Sequence, residues 1–238
     1  MIRPVLHDYH HSSAAYRVRL ALALKGIDYD TVAVDLTQGA QRADGHLRLN
    51  PQGLVPVLEI DGLALTQSLA IIAYLDETRP TPPLLPDDPA ARATARAIVL
   101  AIACDIHPLS NLRVLNRVEA LAGAGARARW NTDNIASGLA AVEKLLDRAR
   151  GGRFAMGDDP GLADCAVVPQ LYNAARWGVP IDGWPNLSRI AESTAADERM
   201  AAAHPDRAKA AGEAADRAVG VGVGVAADVT AGGGKRIT

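Results

Sequence analysis

The fold is decided by the stretch between His11 and Tyr29, HSSAAYRVRLALALKGIDY. It reads as a serine-bearing turn followed by a helix, which ends where Gly26 supplies the usual stop. Ser12 and Ser13 are favoured N-cap residues, because their hydroxyls can accept from the unpaired N–H groups of the first turn. Apolar side chains lie on two sides of the helix, so we expect it to be packed on both. The turn itself is a candidate anion site, and a thiolate is one anion that it could hold.

A short strand is expected on each side of this helix. The first runs over residues 4–7, and the second runs over residues 31–36 with Val32, Val34 and Leu36 on one half-buried face. A strand, a helix and a strand in this order normally form a parallel, right-handed unit. Residues 37–46 are polar and predict a loop with at most a short helical turn.

A hairpin and a second helix follow. Residues 57–60 and 63–66 are predicted strands, and Asp61-Gly62 between them is a strong turn signal. A helix then begins near Ser68, which is a plausible cap, so its start is a second candidate anion site. Ser68 could also be only a cap, but a second serine-headed helix start in such a small unit favours a binding function.

The rest of the chain is predicted to be helical. Residues 79–89 contain five prolines and mark a boundary between domains. We therefore expect one domain over 1–79, a linker over 80–89, an all-helical domain over 90–205 and a disordered, low-complexity tail over 206–238. The expected helices cover 90–114, 132–150, a segment capped by Gly161 that ends at Arg176, and 186–204.

Composition excludes several functional classes. The 238 residues carry a net charge of −2, which argues against a nucleic-acid-binding protein. We find no signal peptide and no apolar run near the roughly 18 residues that span a bilayer, and we expect a cytoplasmic protein without membrane contact. Cys104 and Cys165 are expected to be buried. His7, His10 and His11 lie close in sequence, but their spacing does not favour a metal site, so we predict no metal.

The run that begins at Ser12 closely resembles the N-terminal signature of zeta-class glutathione transferases. That family usually has a cysteine where Ala14 stands and often an arginine where His11 stands, so this chain departs from it twice. The resemblance implies a thioredoxin-like, α/β glutathione-binding domain followed by an all-α domain. It also implies a homodimer and glutathione as the cofactor.

The resemblance implies a set of site residues as well. Ser12 would stabilise the glutathione thiolate, Val55 before a cis Pro56 would pair with the cysteinyl backbone, and Gln67 with Ser68 would hold the γ-glutamyl carboxylate. The implied cofactor-binding residues are Ser12, Ser13, Ala14, Ala15, Tyr16, Arg17, Gln41, Val55, Gln67, Ser68, His107, Asn111, Leu112 and Arg113. The implied catalytic residues are Ser12, Arg17 and Arg176. Which of the two serines activates the thiol is open.

Two of these assignments have ordinary alternatives. His107, Asn111 and Arg113 could belong to a solvated helix face, although polar residues in a helical domain also line clefts. Arg176 could be a favourable charge at a helix C-terminus. The resemblance places His107 and Asn111 beside the cofactor, with Arg113 facing the substrate. It places Arg176 at a substrate carboxylate, for which Arg is well suited, and Arg17 and Arg113 could hold the other end of the substrate.

The implied reaction is the glutathione-dependent cis–trans isomerisation of maleylacetoacetate, a small dicarboxylic keto acid, in tyrosine and phenylalanine breakdown. Three alternatives stay open: isomerisation of maleylpyruvate, transfer chemistry on small haloacids, and a non-catalytic module that only binds glutathione. Ser12 and the arginines discriminate the last, because only a catalyst needs them.

Overall fold

The computed structural model describes residues 3–149 and 151–209 of the chain. Four short strands form one mixed sheet in the order β2-β1-β3-β4: Val5–Asp8 (β1), Asp30–Ala33 (β2), Val57–Ile60 (β3) and Leu63–Thr66 (β4). β1 pairs with β2 in parallel and with β3 antiparallel, and β3 pairs antiparallel with β4. These pairings confirm the predicted parallel unit, the hairpin and the thioredoxin-like sheet.

The second strand is shorter than predicted. It ends at Ala33, and Val32 is 42% exposed whereas Val34, just beyond the strand, is buried. The alternating pattern predicted both valines on one buried face. β2 lies at the edge of the sheet, where solvent reaches side chains that a central strand would cover. Only the N–H of Val34 continues the ladder, by donating to the carbonyl of Asp8 at 2.8 Å.

The first half of the chain, over the described residues 3–88, contains three helices and one 3-10 turn. They are Ser13–Leu24 (α1), Asp44–Leu49 (α2) and Ser68–Thr78 (α3), with a 3-10 turn at Ala40–Arg42. Gly26 has φ 63° just after α1, as a helix-ending glycine should. Asp61 and Gly62 both have positive φ, which fits the predicted hairpin turn. The region predicted as a loop over 37–46 is more helical than expected, because α2 begins within it.

The helices of the second half are Pro89–Leu100 (α4), Leu112–Ala122 (α5), Ala126–Ala149 (α6), Leu162–Arg176 (α7), Pro185–Ala196 (α8) and Glu198–Ala202 (α9). The prediction of one helix over 90–114 was wrong. α4 passes into a π-helix at Ala101–Ile106 and a 3-10 turn at His107–Ser110, and Asn111 then caps α5.

Two other boundaries also differ from the prediction. The expected helix over 186–204 divides at Asp197, whose carboxylate caps α9, and α6 begins six residues before position 132. Residues 205–209 are helical, and the remainder of the expected tail lies outside the described residues.

Gly161 caps α7 as predicted, and the structure supplies a steric reason for glycine there. Its N–H donates to Oδ2 of Asp164 at 2.9 Å. A Cβ at position 161 would lie 2.7 Å from the carbonyl oxygen of Leu84. A serine or threonine cap would therefore require the linker backbone to move.

Buried charged groups tie the two halves together. Arg19, which is 1% exposed, donates to both carboxylate oxygens of Asp8 at 2.8 and 2.7 Å and to the carbonyl of Ala203 at 3.1 Å. Lys25 donates from Nζ to Asp76 and to linker carbonyls. Since a buried ion pair is costly to break once formed, these contacts fix α1 against both the linker and the C-terminal segment.

Two expectations about apolar residues need correction. Cys165 is buried, but Cys104 is exposed, because it lies on the outer side of the π-helix. By length and composition alone, the helical span Pro89–Ser110 could cross a membrane, so the expectation that no segment qualifies was too strict. Such a span is weak evidence for a membrane segment, and its residues Ile98, Ile102 and Ile106 lie in the core at 0–2% exposure.

Candidate active site

The first part of the site is the N-terminus of α1. Ser12 is the N-cap, its Oγ accepts from the N–H of Ala15 at 3.2 Å, and its own N–H donates to the carbonyl of Tyr9 at 2.7 Å. A hydroxyl that accepts one hydrogen bond still carries a proton that it can donate. Ser12 can therefore cap the helix and donate to an anion at the same time.

The neighbours of Ser12 divide between the site and the core. Ser13 and Ala14 form the first turn with Ala15, so their backbone lies at the positive end of the helix. Tyr16 is only 2% exposed, and burial raises its pKa to about 12. Because the side chain of Tyr16 packs in the core, only its backbone is available to a ligand at the α1 N-terminus.

The second part of the site is the N-terminus of α3, and it is built differently. Gln67, not Ser68, occupies the cap position, with φ 66° and no side-chain bond to the helix. The expectation that Ser68 is the cap was therefore wrong. The Oγ of Ser68 instead accepts from Nη1 of Arg17 at 3.2 Å, and Gln67 donates from Nε2 to Oε1 of Gln52 at 2.7 Å. The first N–H groups of α3 have no side-chain cap.

Arg17 joins the two helix ends. It is 3% exposed, and neither its Nε nor its Nη2 has a hydrogen-bond partner. Burial lowers the pKa of Arg17 to about 10, so it stays charged at neutral pH. Burial, and then the charge of Arg17, lower the pKa of His107 to about 3. A neutral imidazole is thus held close to a cation that has two unpaired donors.

The loop before β3 supplies backbone and amide groups. The Val55–Pro56 bond is cis, as the resemblance implied, and Val55 is 8% exposed. The backbone directly before Val55 is held in place, because His46 and Asn50 both form hydrogen bonds to the carbonyl of Leu54, at 2.9 and 2.8 Å. The Oε1 atom of Gln41 is also buried without a partner.

Arg176 lies near His11, the residue directly before Ser12. Its guanidinium carbon lies 5.8 Å from the centre of the Tyr172 ring, and Tyr172 Oη is 3.1 Å from Nδ1 of His11. Burial, followed by the charge of Arg176, lowers the pKa of His11 to about 4. His11 is therefore neutral at pH 7, and the positive charge beside the turn belongs to Arg176.

Sequence reasoning missed the aromatic residues around Arg176. The rings of His10 and His11 lie 4.0 Å apart, and the rings of Tyr172 and His204 lie 5.4 Å apart. Tyr172 and Arg176 are four residues apart on one helix, a spacing that places them on one face and could have revealed the pair. His204 carried no such signal, because its contact depends on how the C-terminal segment folds back.

Three predicted residues are not joined to this group. Asn111 uses its Oδ1 to accept from the N–H of Arg113 at 3.3 Å, Leu112 is 42% exposed, and Arg113 is exposed. Over residues 3–149 and 151–209, no hydrogen bond or ion pair connects these side chains to Ser12, Arg17 or Arg176.

The histidines near the first strand take separate roles. His7 bonds Glu59 at 2.7 Å, whereas the rings of His10 and His11 pack against each other in a tilted arrangement. Within the described part of the chain, no group of three or more His, Cys, Asp or Glu residues could hold a metal ion.

The unpaired groups fit a peptide-like anion such as glutathione. Arg17 has free donors, the N-terminus of α3 is uncapped, and Gln41 offers a buried acceptor. Buried polar atoms without partners are rare in native proteins, and the two on Arg17 lie beside the α3 N-terminus, where they are available to a ligand. Ser12 lies at the other helix end, where a thiolate would be stabilised.

Family models match both halves of the chain. The model described as glutathione S-transferase, N-terminal domain, matches residues 4–77, and that described as glutathione S-transferase, C-terminal domain, matches residues 118–192. Among curated proteins, the maleylacetoacetate isomerase of Rhizobium meliloti is 53% identical over 86% of this chain and 97% of its own length. That of Mus musculus is 44% identical over 86% and 94%.

Solved structures of isomerases share the fold of this chain. The maleylacetoacetate isomerase of Anaeromyxobacter dehalogenans, solved with bound glutathione, has a TM-score of 0.79 and 44% identity, and the match covers 86% of this chain and 96% of that one. A zeta-class maleyl pyruvate isomerase has a TM-score of 0.82 and 36% identity, with 85% and 97% covered.

Proposed function

The chain belongs to the glutathione S-transferase family, and from this membership we propose that it catalyses the glutathione-dependent cis–trans isomerisation of maleylacetoacetate to fumarylacetoacetate. Glutathione is its cofactor, and tyrosine and phenylalanine breakdown is the pathway that uses this reaction. The observation that carries the proposal is the meeting of two helix N-termini at Arg17, whose unpaired donors face a site with Ser12 at its edge.

The cofactor is held mainly by the N-terminal domain. Arg17, Ser68 and the uncapped N-terminus of α3 bind the γ-glutamyl carboxylate, and the backbone of Val55 pairs with the cysteinyl part. The hydroxyl of Ser12 donates a hydrogen bond to the thiolate sulfur, and the positive end of the α1 dipole stabilises the same charge. Bound glutathione supplies a thiolate that can add to the cis double bond, which leaves a single bond free to rotate. No protein nucleophile is needed, so Ala14 in place of cysteine is compatible with turnover.

Arginines provide the charge for the substrate. The ionised substrate has two carboxylates, and Arg176, which packs against Tyr172, binds one of them. Arg17, which binds the γ-glutamyl carboxylate, contributes to the reaction by holding the cofactor. His11 is neutral, so this chain lacks the charge that an arginine directly before the serines would give.

Maleylpyruvate is the second candidate substrate, since a zeta-class maleyl pyruvate isomerase shares the fold at a TM-score of 0.82. An absorbance assay of the purified protein with each substrate, with and without glutathione, separates the two. We expect turnover of maleylacetoacetate only when glutathione is present. Turnover of maleylpyruvate alone would name the other pathway, and glutathione binding without turnover of either would leave a transferase or a binding module.

The remaining assignments are part of the same proposal. The glutathione-binding domain covers 1–79, the linker 80–89 and the substrate-side domain 90–205. The protein forms a homodimer in the cytoplasm. A groove between α3 and α4, lined by Leu69, Ile72 and Leu100 with acidic and basic neighbours, is the surface that we assign to the dimer contact.

A further inference from the structure

One face of α6 lies against the segment that carries His107. Trp130, Asn134 and Gly138 are spaced four residues apart, so they form a single row along the helix, which we call the α6 stripe. All three contact the span from Ile106 to Leu109, which leads from the π-helix into the following 3-10 turn.

Each member of the α6 stripe makes a different contact. Nε1 of Trp130 donates to the carbonyl of Leu109 at 3.0 Å, and Nδ2 of Asn134 donates to the carbonyl of Ile106 at 3.1 Å. Gly138 contributes by having no side chain. A Cβ at position 138 would overlap the Cγ1 and Cδ1 atoms of Ile106, whereas the Cβ of Ile106 would be 3.5 Å away.

These contacts provide hydrogen-bond donors to backbone carbonyl groups between Ile106 and Leu109. Where α4 passes through a π-helix into a 3-10 turn, the regular hydrogen-bond pattern changes twice, and carbonyl groups at such junctions lose helical partners. Asn134 and Trp130 supply donors from a neighbouring helix. Ile106 is 2% exposed, so its fit against Gly138 fixes the residue directly before His107.

We propose that the α6 stripe positions His107 and so sets the affinity for glutathione. His107 is close enough to Arg17 for the charge of that residue to act on it, and Arg17 bonds Ser68. A displacement of Ile106 therefore moves the imidazole relative to the paired helix ends. This inference rests on the proposed function together with the expectation, from the family resemblance, that His107 contacts glutathione. Trp130, Asn134 and Gly138 are then positioning residues.

The test compares Gly138→Ala with a double variant that removes the overlap. We expect Gly138→Ala to weaken glutathione binding about fivefold to tenfold, the effect of losing one good hydrogen bond. Ile106→Ala/Gly138→Ala deletes Cγ1 and Cδ1 of Ile106, so it should recover most of the affinity. Asn134→Ala should weaken binding by a similar factor. Gly183→Ala is the control, because a Cβ there meets nothing within 4 Å.

Binding is measured by calorimetry with glutathione, and the imidazole resonances of His107 are recorded without ligand. His107→Ala sets the largest loss that mispositioning can cause. Folded Gly138→Ala protein with wild-type affinity and unmoved His107 resonances would overturn the inference. So would a double variant that binds no better than Gly138→Ala while Ile106→Ala alone binds normally. Wild-type protein that fails to bind or turn over would instead reject the proposed function, and the resonances would still report on the α6 stripe.

Discussion

The two helix N-termini of the site carry the same residue type but use it in different ways. At α1, Ser12 caps its own helix by accepting from Ala15, and its proton stays available. At α3, Ser68 is the first helical residue, accepts from the buried Arg17, and leaves the helix end uncapped. The difference suggests a division of work: α1 acts on the sulfur of glutathione, and α3 acts on its carboxylate.

The largest effect is expected when the proton of Ser12 is removed. Ser12→Ala should lower kcat about 100-fold, since loss of one donor to a reacting anion costs that much. It should also cost about 1 kcal/mol of stability as a lost cap. The measurement is steady-state turnover of maleylacetoacetate at saturating glutathione.

The control for Ser12→Ala is Asp88→Ala. Asp88 caps α4 by accepting from the N–H of Ala91 at 2.8 Å and lies outside the site. It should lose similar stability and keep its turnover. Equal loss of activity in both variants would show that Ser12 acts only as a cap.

Ser68→Ala should affect binding rather than turnover. It leaves Arg17 with a third unpaired donor, so we expect the dissociation constant for glutathione to rise about tenfold while kcat at saturation changes less than about twofold. Calorimetry and saturation kinetics measure the two quantities. Ser188→Ala, which also loses a side-chain bond, should alter neither. A large fall in kcat for Ser68→Ala would remove the distinction between the two helix ends.

Arg176→Gln tests whether Arg176, near the N-terminus of α1, binds a carboxylate of the substrate. We expect KM for maleylacetoacetate to rise about tenfold, because a charged hydrogen bond to a carboxylate is lost. The pKa of His11 should rise above about 4, since the charge of Arg176 helps to depress it. Kinetics and an NMR titration follow these changes. Arg153→Gln, at another exposed arginine, is the matched control and should leave KM unchanged.

The last effect concerns acid stability rather than activity. The pKa of His107 is about 3 in the folded chain and near 6.5 when unfolded, so the unfolded chain binds the extra proton between these values. The unfolding free energy therefore falls as pH falls through that window, by at most about 1.4 kcal/mol per pH unit, and His107 contributes nothing above it.

His107→Gln should remove this slope, which is measured by urea unfolding of both proteins from pH 7 to pH 4. Asp164 acts in the opposite direction, because burial raises its pKa to about 6, so only the difference between the two proteins isolates His107. An identical slope in both proteins would show that His107 is not held neutral beside Arg17.

The sequence predicted the elements that depend on local signals. The hairpin at Asp61-Gly62, the stop at Gly26 and the start of α7 at Gly161 are all confirmed, because turn and cap residues act through neighbouring backbone. Arg17 and Ser68 were predicted as separate members of the site, but their hydrogen bond joins residues 51 positions apart and has no local signal.

The helical domain was predicted less well. Alanine-rich sequence is compatible with α, π and 3-10 geometry, so the changes at Ala101 and His107 could not be predicted from propensity. This region packs against another helix, where Ile106 lies next to Gly138, and a contact between distant residues leaves no local signal. The break at Asn111 did carry a signal, because asparagine is a strong cap, but periodicity was given more weight.

The most direct test is the pKa of the glutathione thiol in the bound state, followed by thiolate absorbance during a pH titration at saturating glutathione. The wild-type value should lie well below that of free glutathione. Ser12→Ala should raise it by about one pH unit or more, because a hydrogen bond to the charged form is lost. Ser68→Ala should leave it unchanged despite weaker binding. An unchanged value in Ser12→Ala, or equal shifts in both variants, would contradict the division of work between α1 and α3.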